Sequence, residues 1–241
     1  MTPNNPAQPS AAYTLHAGLK NPLQRAAELL AESAGPLFTR QKRLRLAIPG
    51  GSAMQAALLL KAILAETWSQ VALTWVDERC VRSADADSNR GAALRAGIER
   101  DTAAGALLPL YQDDESPAAA VQRVSALLKL DFASGLDLVL LGMGEDGHIA
   151  SIFPGAVSHG EAWVAHIPES PKPPPSRITL THPFLQSAQR TVLVATGENK
   201  RAPLEHLLRQ DPKLPAVGLP DLQIMTDLSI TAPPLRSDTP D

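Results

Sequence analysis

The stretch Leu136 to Gly155, LDLVLLGMGEDGHIASIFPG, constrains this chain most, because a short apolar run ends abruptly in glycines, two acids and a histidine. Leu136 to Leu141 is almost continuously apolar between Gly135 and Gly142, the pattern of a strand covered on both faces in a parallel sheet. In open α/β sheets, ligands sit beyond the carboxyl ends of the strands. Gly142, Gly144 and Gly147 would let backbone N–H groups approach an anion there, and His148 arrives at the same edge. The glycines spell G-x-G-x-x-G, but a dinucleotide fingerprint must open a long helix. Phe153, Pro154 and Gly155 leave too short a run for one. A tight turn with His148 as a hydrogen-bonded structural residue is the plain alternative, and the rest of the chain must decide between it and a catalytic role.

With 241 residues and 44% hydrophobic content, the chain can bury the core of one large α/β domain. A net charge of −3 argues against general affinity for nucleic acid or an anionic membrane, so an anion site must concentrate its cations locally. A single cysteine, Cys80, excludes an intramolecular disulfide. With no signal peptide and no long apolar span, a cytoplasmic protein is expected, monomeric or weakly dimeric. Residues 1–12, rich in Pro, Asn and Gln, read as a disordered lead-in, 13–231 as the domain, and 232–241 as a flexible tail.

Taken in order, Pro22 to Ala34 has helical apolar spacing and should stop at Gly35-Pro36. Leu44 to Ile48 reads as the first sheet strand. Pro49-Gly50-Gly51-Ser52 then turns into an Ala- and Leu-rich helix, Ala53 to Glu66, whose N-terminus offers free N–H donors and a favourable dipole to a phosphate. Val71 to Val76 is the next strand. Asp77-Glu78-Arg79 follows at its carboxyl end, either as a solvated loop or as groups that hold a polyol and an anion. Cys80 beside them lacks any local feature that would lower its pKa and is expected to be a bystander. Ser88-Asn89 should cap a helix to about Ile98, and Ser116-Pro117 another to Leu130. Ala162 to Ile167 is a strand, Pro168 to Ser176 a proline-rich loop carrying Lys172, and Arg177 to Thr181 a short alternating strand. Thr191 to Thr196 is the last strong strand, followed by Gly197-Glu198-Asn199-Lys200 and a helix.

The segments PGGS, DERCV followed by SN, GMGEDGHIASIFPG, PKPPPSRITLT and VATGENK occur in the order and approximate spacing of the 6-phosphogluconolactonases, which this chain resembles from about Leu15 to Leu228. One departure is visible. The family turn commonly reads Ser-Gly-Gly-Ser-Thr-Pro, whereas Pro49, Ala53 and Met54 stand here, so only the backbone donors and Ser52 survive.

The resemblance implies a doubly wound, mostly parallel sheet with helices on both faces, related to glucosamine-6-phosphate deaminase and ribose-5-phosphate isomerase. It implies hydrolysis of a sugar-phosphate lactone without metal or cofactor. His148 would be the base, with Asp77 binding a sugar hydroxyl or orienting the histidine. Backbone donors around Gly144, Asp146 and Gly147 would meet the oxyanion. Gly50, Gly51, Ser52, Arg177 and Lys200 would hold the phosphate, with Arg79 and Lys172 closing over the substrate. A deaminase-like isomerase is the nearest rival. Such enzymes follow the histidine with a segment like Phe-Asn-Glu-Pro, and the sequence here, Ala150-Ser151-Ile152-Phe153-Pro154, lacks that carboxylate. A non-catalytic sugar-phosphate sensor would keep the cations and lose the base, yet His148 is present.

Overall fold

The computed structural model describes residues 13–103, 106–156 and 159–232; the expected lead-in and all of the expected tail but Ala232 lie outside them. A seven-stranded sheet forms the centre, every neighbouring pair parallel. In chain order its strands are β1 (Tyr13–His16), β2 (Leu44–Ile48), β3 (Val71–Trp75), β5 (Leu107–Leu108), β6 (Leu138–Gly142), β9 (Arg190–Val194) and β10 (Leu222–Met225). Their spatial order is β1-β10-β9-β6-β2-β3-β5. The chain therefore winds outward from β2 through β3 to β5, crosses back to β6, and winds the other way through β9 to β10. The reversal falls between β2 and β6. That switch point is where an open parallel sheet leaves a crevice beyond its strand ends. Leu138 to Leu141 are buried, as the continuous apolar run requires of a strand covered on both faces.

A second, three-stranded antiparallel sheet, β4 (Asp77–Arg79), β8 (Arg177–Leu180) and β7 (Val164–Ile167), sets Asp77 opposite Thr179 and Arg79 opposite Arg177. Asp77 and Glu78 are buried in it, so the solvated-loop reading of 77–79 is wrong. Three charges in a row gave no strand signal, because the partner strand lies about a hundred residues downstream.

The longer helices are α1 (Pro22–Arg40), α2 (Met54–Leu64), α3 (Asn89–Arg95), α4 (Pro117–Asp131) and α6 (Arg201–Leu208), with α5 (His182–Leu185) a single turn. Ser88 and Ser116 cap α3 and α4, accepting from the amides of Gly91 and Ala119 as expected of serine at those positions. Helix α1 runs through Gly35-Pro36, where a stop was expected. Leu37 and Phe38 pack against the core beyond the proline, and that burial outweighs the lost backbone bond. Leu44–Ile48 forms as read but is the second strand of the chain, since β1 precedes it. No helix among the described residues is long and apolar enough to cross a membrane.

Candidate active site

The turn after β6 builds the histidine. Gly144 N–H donates to the His148 carbonyl at 2.8 Å and Gly147 N–H to the Gly144 carbonyl at 3.0 Å, closing a compact loop. Gly147 sits at φ +87°, a region side chains avoid. A Cβ on Gly144 would fall 2.1 Å from His148 Nδ1 and 2.5 Å from Asp146 Oδ1, so only glycine lets that pair pack over the turn. These two amides, expected to meet an oxyanion, are spent inside the turn.

His148 Nδ1 lies 2.5 Å from Asp146 Oδ1, and the imidazole rests on the Phe153 ring with centroids 4.7 Å apart. A carboxylate beside Nδ1 holds the proton on that nitrogen and leaves Nε2 as a lone pair. Burial pushes the His148 pKa below its ordinary 6.5; the Asp146 hydrogen bond and charge oppose this, and Lys172 adds to it. Burial would raise the Asp146 pKa, but His148 and Lys172 together hold it below the ordinary carboxylate value. Asp146 and Lys172 thus act on the histidine in opposite senses, Lys172 Nζ lying 3.7 Å from Asp146 Oδ2.

A cleft of about 190 Å³ opens at the switch point. It is lined by Gly50, Gly51, Ser52, Asp77, Arg79, Gly144, His148, Arg177 and Lys200, nine of the twelve residues singled out from sequence; Asp146, Gly147 and Lys172 are not part of the lining. Gly51 (φ +60°) turns the chain so that Met54, Gln55 and Ala56 N–H bond back to the carbonyls of residues 51, 52 and 53. The amides of Gly51, Ser52 and Ala53 donate to no described protein group, which leaves the start of α2 able to take an anion.

The cations are not equivalent. Arg177, 3% exposed, donates through Nε to Pro174 O and through Nη2 to Lys172 O and Pro173 O, so most of its guanidinium pins the proline loop. Nη1 alone faces the cleft side, 3.4 Å from Ser151 Oγ and 3.8 Å from Asp77 Oδ2. Arg79 Nη1 donates to Asp87 O at 2.7 Å, while its buried Nε has no protein partner. Lys200 makes no direct ion pair among the described residues, and burial lowers its pKa from the ordinary 10.5.

Asp77 is the only carboxylate on the cleft wall among the described residues, and it does not touch His148: Oδ2 accepts from Ser151 Oγ at 2.6 Å and Oδ1 from Asn89 Nδ2 at 3.2 Å. Ser151, Asn89 and Thr196 were not singled out as site residues. Asn89 was visible as part of a helix cap and of the family segment SN but without a role, and Ser151 reaches Asp77 through a fold-back that no spacing announces.

The family model described as Glucosamine-6-phosphate isomerases/6-phosphogluconolactonase matches residues 20–226. The chain belongs to that family. Relatives include a probable chloroplastic 6-phosphogluconolactonase 3 of Oryza sativa subsp. indica, 35% identical over 200 residues, covering 73% of this chain and 61% of the rice protein. The 6-phosphogluconolactonase of Rattus norvegicus is 33% identical over 205 residues, 79% of each chain. The chain thus spans less than two thirds of the rice relative and most of the rat one. Among solved structures, the 6-phosphogluconolactonase of Thermotoga maritima superposes with a TM-score of 0.75 at 21% identity, over 89% of this chain and 100% of that one. A monomeric glucosamine-6-phosphate deaminase superposes with 0.73 at 18% identity, over 88% and 96%. The fold is therefore common to both activities, and family membership alone does not choose between them.

Proposed function

We propose that this chain hydrolyses 6-phospho-D-glucono-1,5-lactone to 6-phospho-D-gluconate in the oxidative pentose phosphate pathway. One observation supports it above the others: His148, with Asp146 Oδ1 2.5 Å from its Nδ1, lines a cleft shared with Arg79, Arg177 and Lys200, which leaves Nε2 as the nitrogen to act as base. Nε2 takes a proton from water as the water oxygen bonds to the lactone carbonyl carbon. Collapse of the tetrahedral intermediate breaks the bond to the ring oxygen, which leaves with the proton returned by the imidazolium. The product acid then ionises. The amides of Gly51, Ser52 and Ala53, with Arg79 and Lys200, hold the phosphate, while Arg177 serves by pinning the proline loop and meeting Ser151 and Asp77. Because the lactone is already reactive in water, one base and good positioning suffice.

A deaminase needs a further carboxylate after the histidine for ring opening, and Ala150 to Pro154 supply none. The test follows lactone disappearance by NMR with fresh substrate at pH 7. Acceleration well above buffer is expected. Absence of acceleration, or release of ammonia from glucosamine 6-phosphate, would overturn the proposal.

A further inference from the structure

We infer that Asn89 is a specificity-determining residue whose side-chain oxygen accepts a hydrogen bond from a sugar hydroxyl of the substrate; this rests on the lactonase reading above. Asn89 is 4% exposed, yet it lines the cleft. Its Nδ2 donates to the Asp77 backbone oxygen at 2.9 Å and to Asp77 Oδ1 at 3.2 Å. Both partners only accept, so they fix which end of the amide is nitrogen. The oxygen is thereby turned toward Gly50 in the cleft lining, 1.8 Å from the place a Cβ would take there. No described group donates to it. Water can reach this oxygen at the cleft, so a ligand hydroxyl that displaces the water can donate to it in turn.

The ligand group follows from charge. A phosphate dianion has no hydrogen to offer, so Asn89 Oδ1 cannot serve the phosphate that the neighbouring amides attract. A neutral hydroxyl can donate to it. The cleft lining therefore offers both donors (the Gly51 to Ala53 amides, Arg79 and Lys200) and acceptors (Asn89 and Asp77). A phosphorylated polyol matches both.

Asn89 is also held in place. The Glu78 carboxylate, 2% exposed, accepts from the backbone amides of Arg79 at 2.7 Å, Asn89 at 2.8 Å and Arg90 at 2.6 Å, and from Ser88 Oγ at 3.2 Å. The first turn of α3 is fixed before any ligand arrives, and a preorganised acceptor discriminates best. Sites built to hydrogen-bond a substrate hydroxyl reject the analogue that lacks it, because the protein group is then left unpaired.

The experiment compares wild type with Asn89→Ala on 6-phosphogluconolactone and its 2-, 3- and 4-deoxy analogues. Asn89→Ser, which keeps a short polar group beside Asp77, serves if the alanine variant does not fold. Wild type is expected to lose roughly 10- to 100-fold in kcat/KM on one deoxy analogue. The Asn89 variant should lose a similar factor on the parent lactone and stay within about threefold of wild type on that one analogue. Equal losses on the parent and every deoxy analogue would show that Asn89 only steadies Asp77, and would overturn the inference while leaving the lactonase reading intact. Equal turnover of all four substrates by wild type would overturn it too. A wild type inert on the parent lactone would overturn both.

Discussion

A histidine serves as a base near neutral pH only if its ring is uncharged and one nitrogen is free, and the surroundings of His148 meet both conditions by different means. Burial lowers its pKa, so the base form persists below pH 6.5, and activity should fall only as pH drops through that lowered value. Asp146 raises the pKa and Lys172 lowers it, which gives two variants with opposite signs. Asp146→Asn should move the acid limb of kcat/KM to lower pH and reduce kcat on the order of 10- to 100-fold, through a less firmly held ring. Lys172→Met should move the limb to higher pH. Limbs that stay in place in both variants would show that another group is titrating. The cations separate in the same way. Lys200→Ala should cost about 1.5–3 kcal/mol in kcat/KM on phosphorylated lactone and little on gluconolactone. Arg177→Ala, which frees the proline loop, should impair both substrates alike. The types of these side chains were legible from sequence, but their partners were not. The carboxylate beside the histidine is two residues away at Asp146, whereas Asp77, for which the resemblance implied that role or a sugar hydroxyl, turns to Ser151 and Asn89.

At the scale of elements, local signals performed well where the chain decides for itself. Serine caps, the proline at the first turn of α1 and the apolar run of β6 all mark structure that forms from neighbouring residues. They failed where a distant partner decides. The strand character of Asp77–Arg79 comes from β8, and the continuation of α1 past Pro36 comes from packing of Leu37 and Phe38. Glu78 shows how such an element feeds the site, since its carboxylate ties β4 to the first turn of α3. Glu78→Gln puts an NH₂ where backbone N–H groups need an acceptor. It should destabilise the protein by about 1–3 kcal/mol and lower kcat/KM, because Arg79 and Asn89 lose their common anchor. Thermal denaturation beside steady-state kinetics checks both, and an unchanged kcat/KM would remove Glu78 from the positioning of the site.

Over the whole molecule, the class of fold and the strands β2, β3, β6 and β9 were readable, whereas β1, β5 and β10 were not. They are short, and parallel pairing with distant neighbours leaves no turn signal. The opposite end of β6 from the site is held by Asp137, which is fully buried and accepts from Arg45 Nη2 at 2.8 Å, Gln41 Nε2 at 2.7 Å and Gln189 Nε2 at 2.8 Å. Asp137→Ala leaves the partly buried Arg45 guanidinium and two glutamine amides without their acceptor and should cost about 3 kcal/mol of stability. The strand separates it from the cleft by roughly 16 Å, so kcat of the folded fraction should be unchanged. A loss of kcat in the cold, folded variant would show that the two ends are coupled. What the double winding accomplishes is to bring the turns after β2 and β6 together, so that the open amides of the Gly51 turn and His148 face one cleft. The most direct test of that arrangement is the turnover of His148→Gln on fresh 6-phosphogluconolactone at pH 7, with buffer hydrolysis subtracted and binding of 6-phosphogluconate measured on the same sample. We expect kcat to fall by roughly 100- to 10,000-fold with product binding retained. Near-normal turnover by the folded variant would contradict His148 as the base.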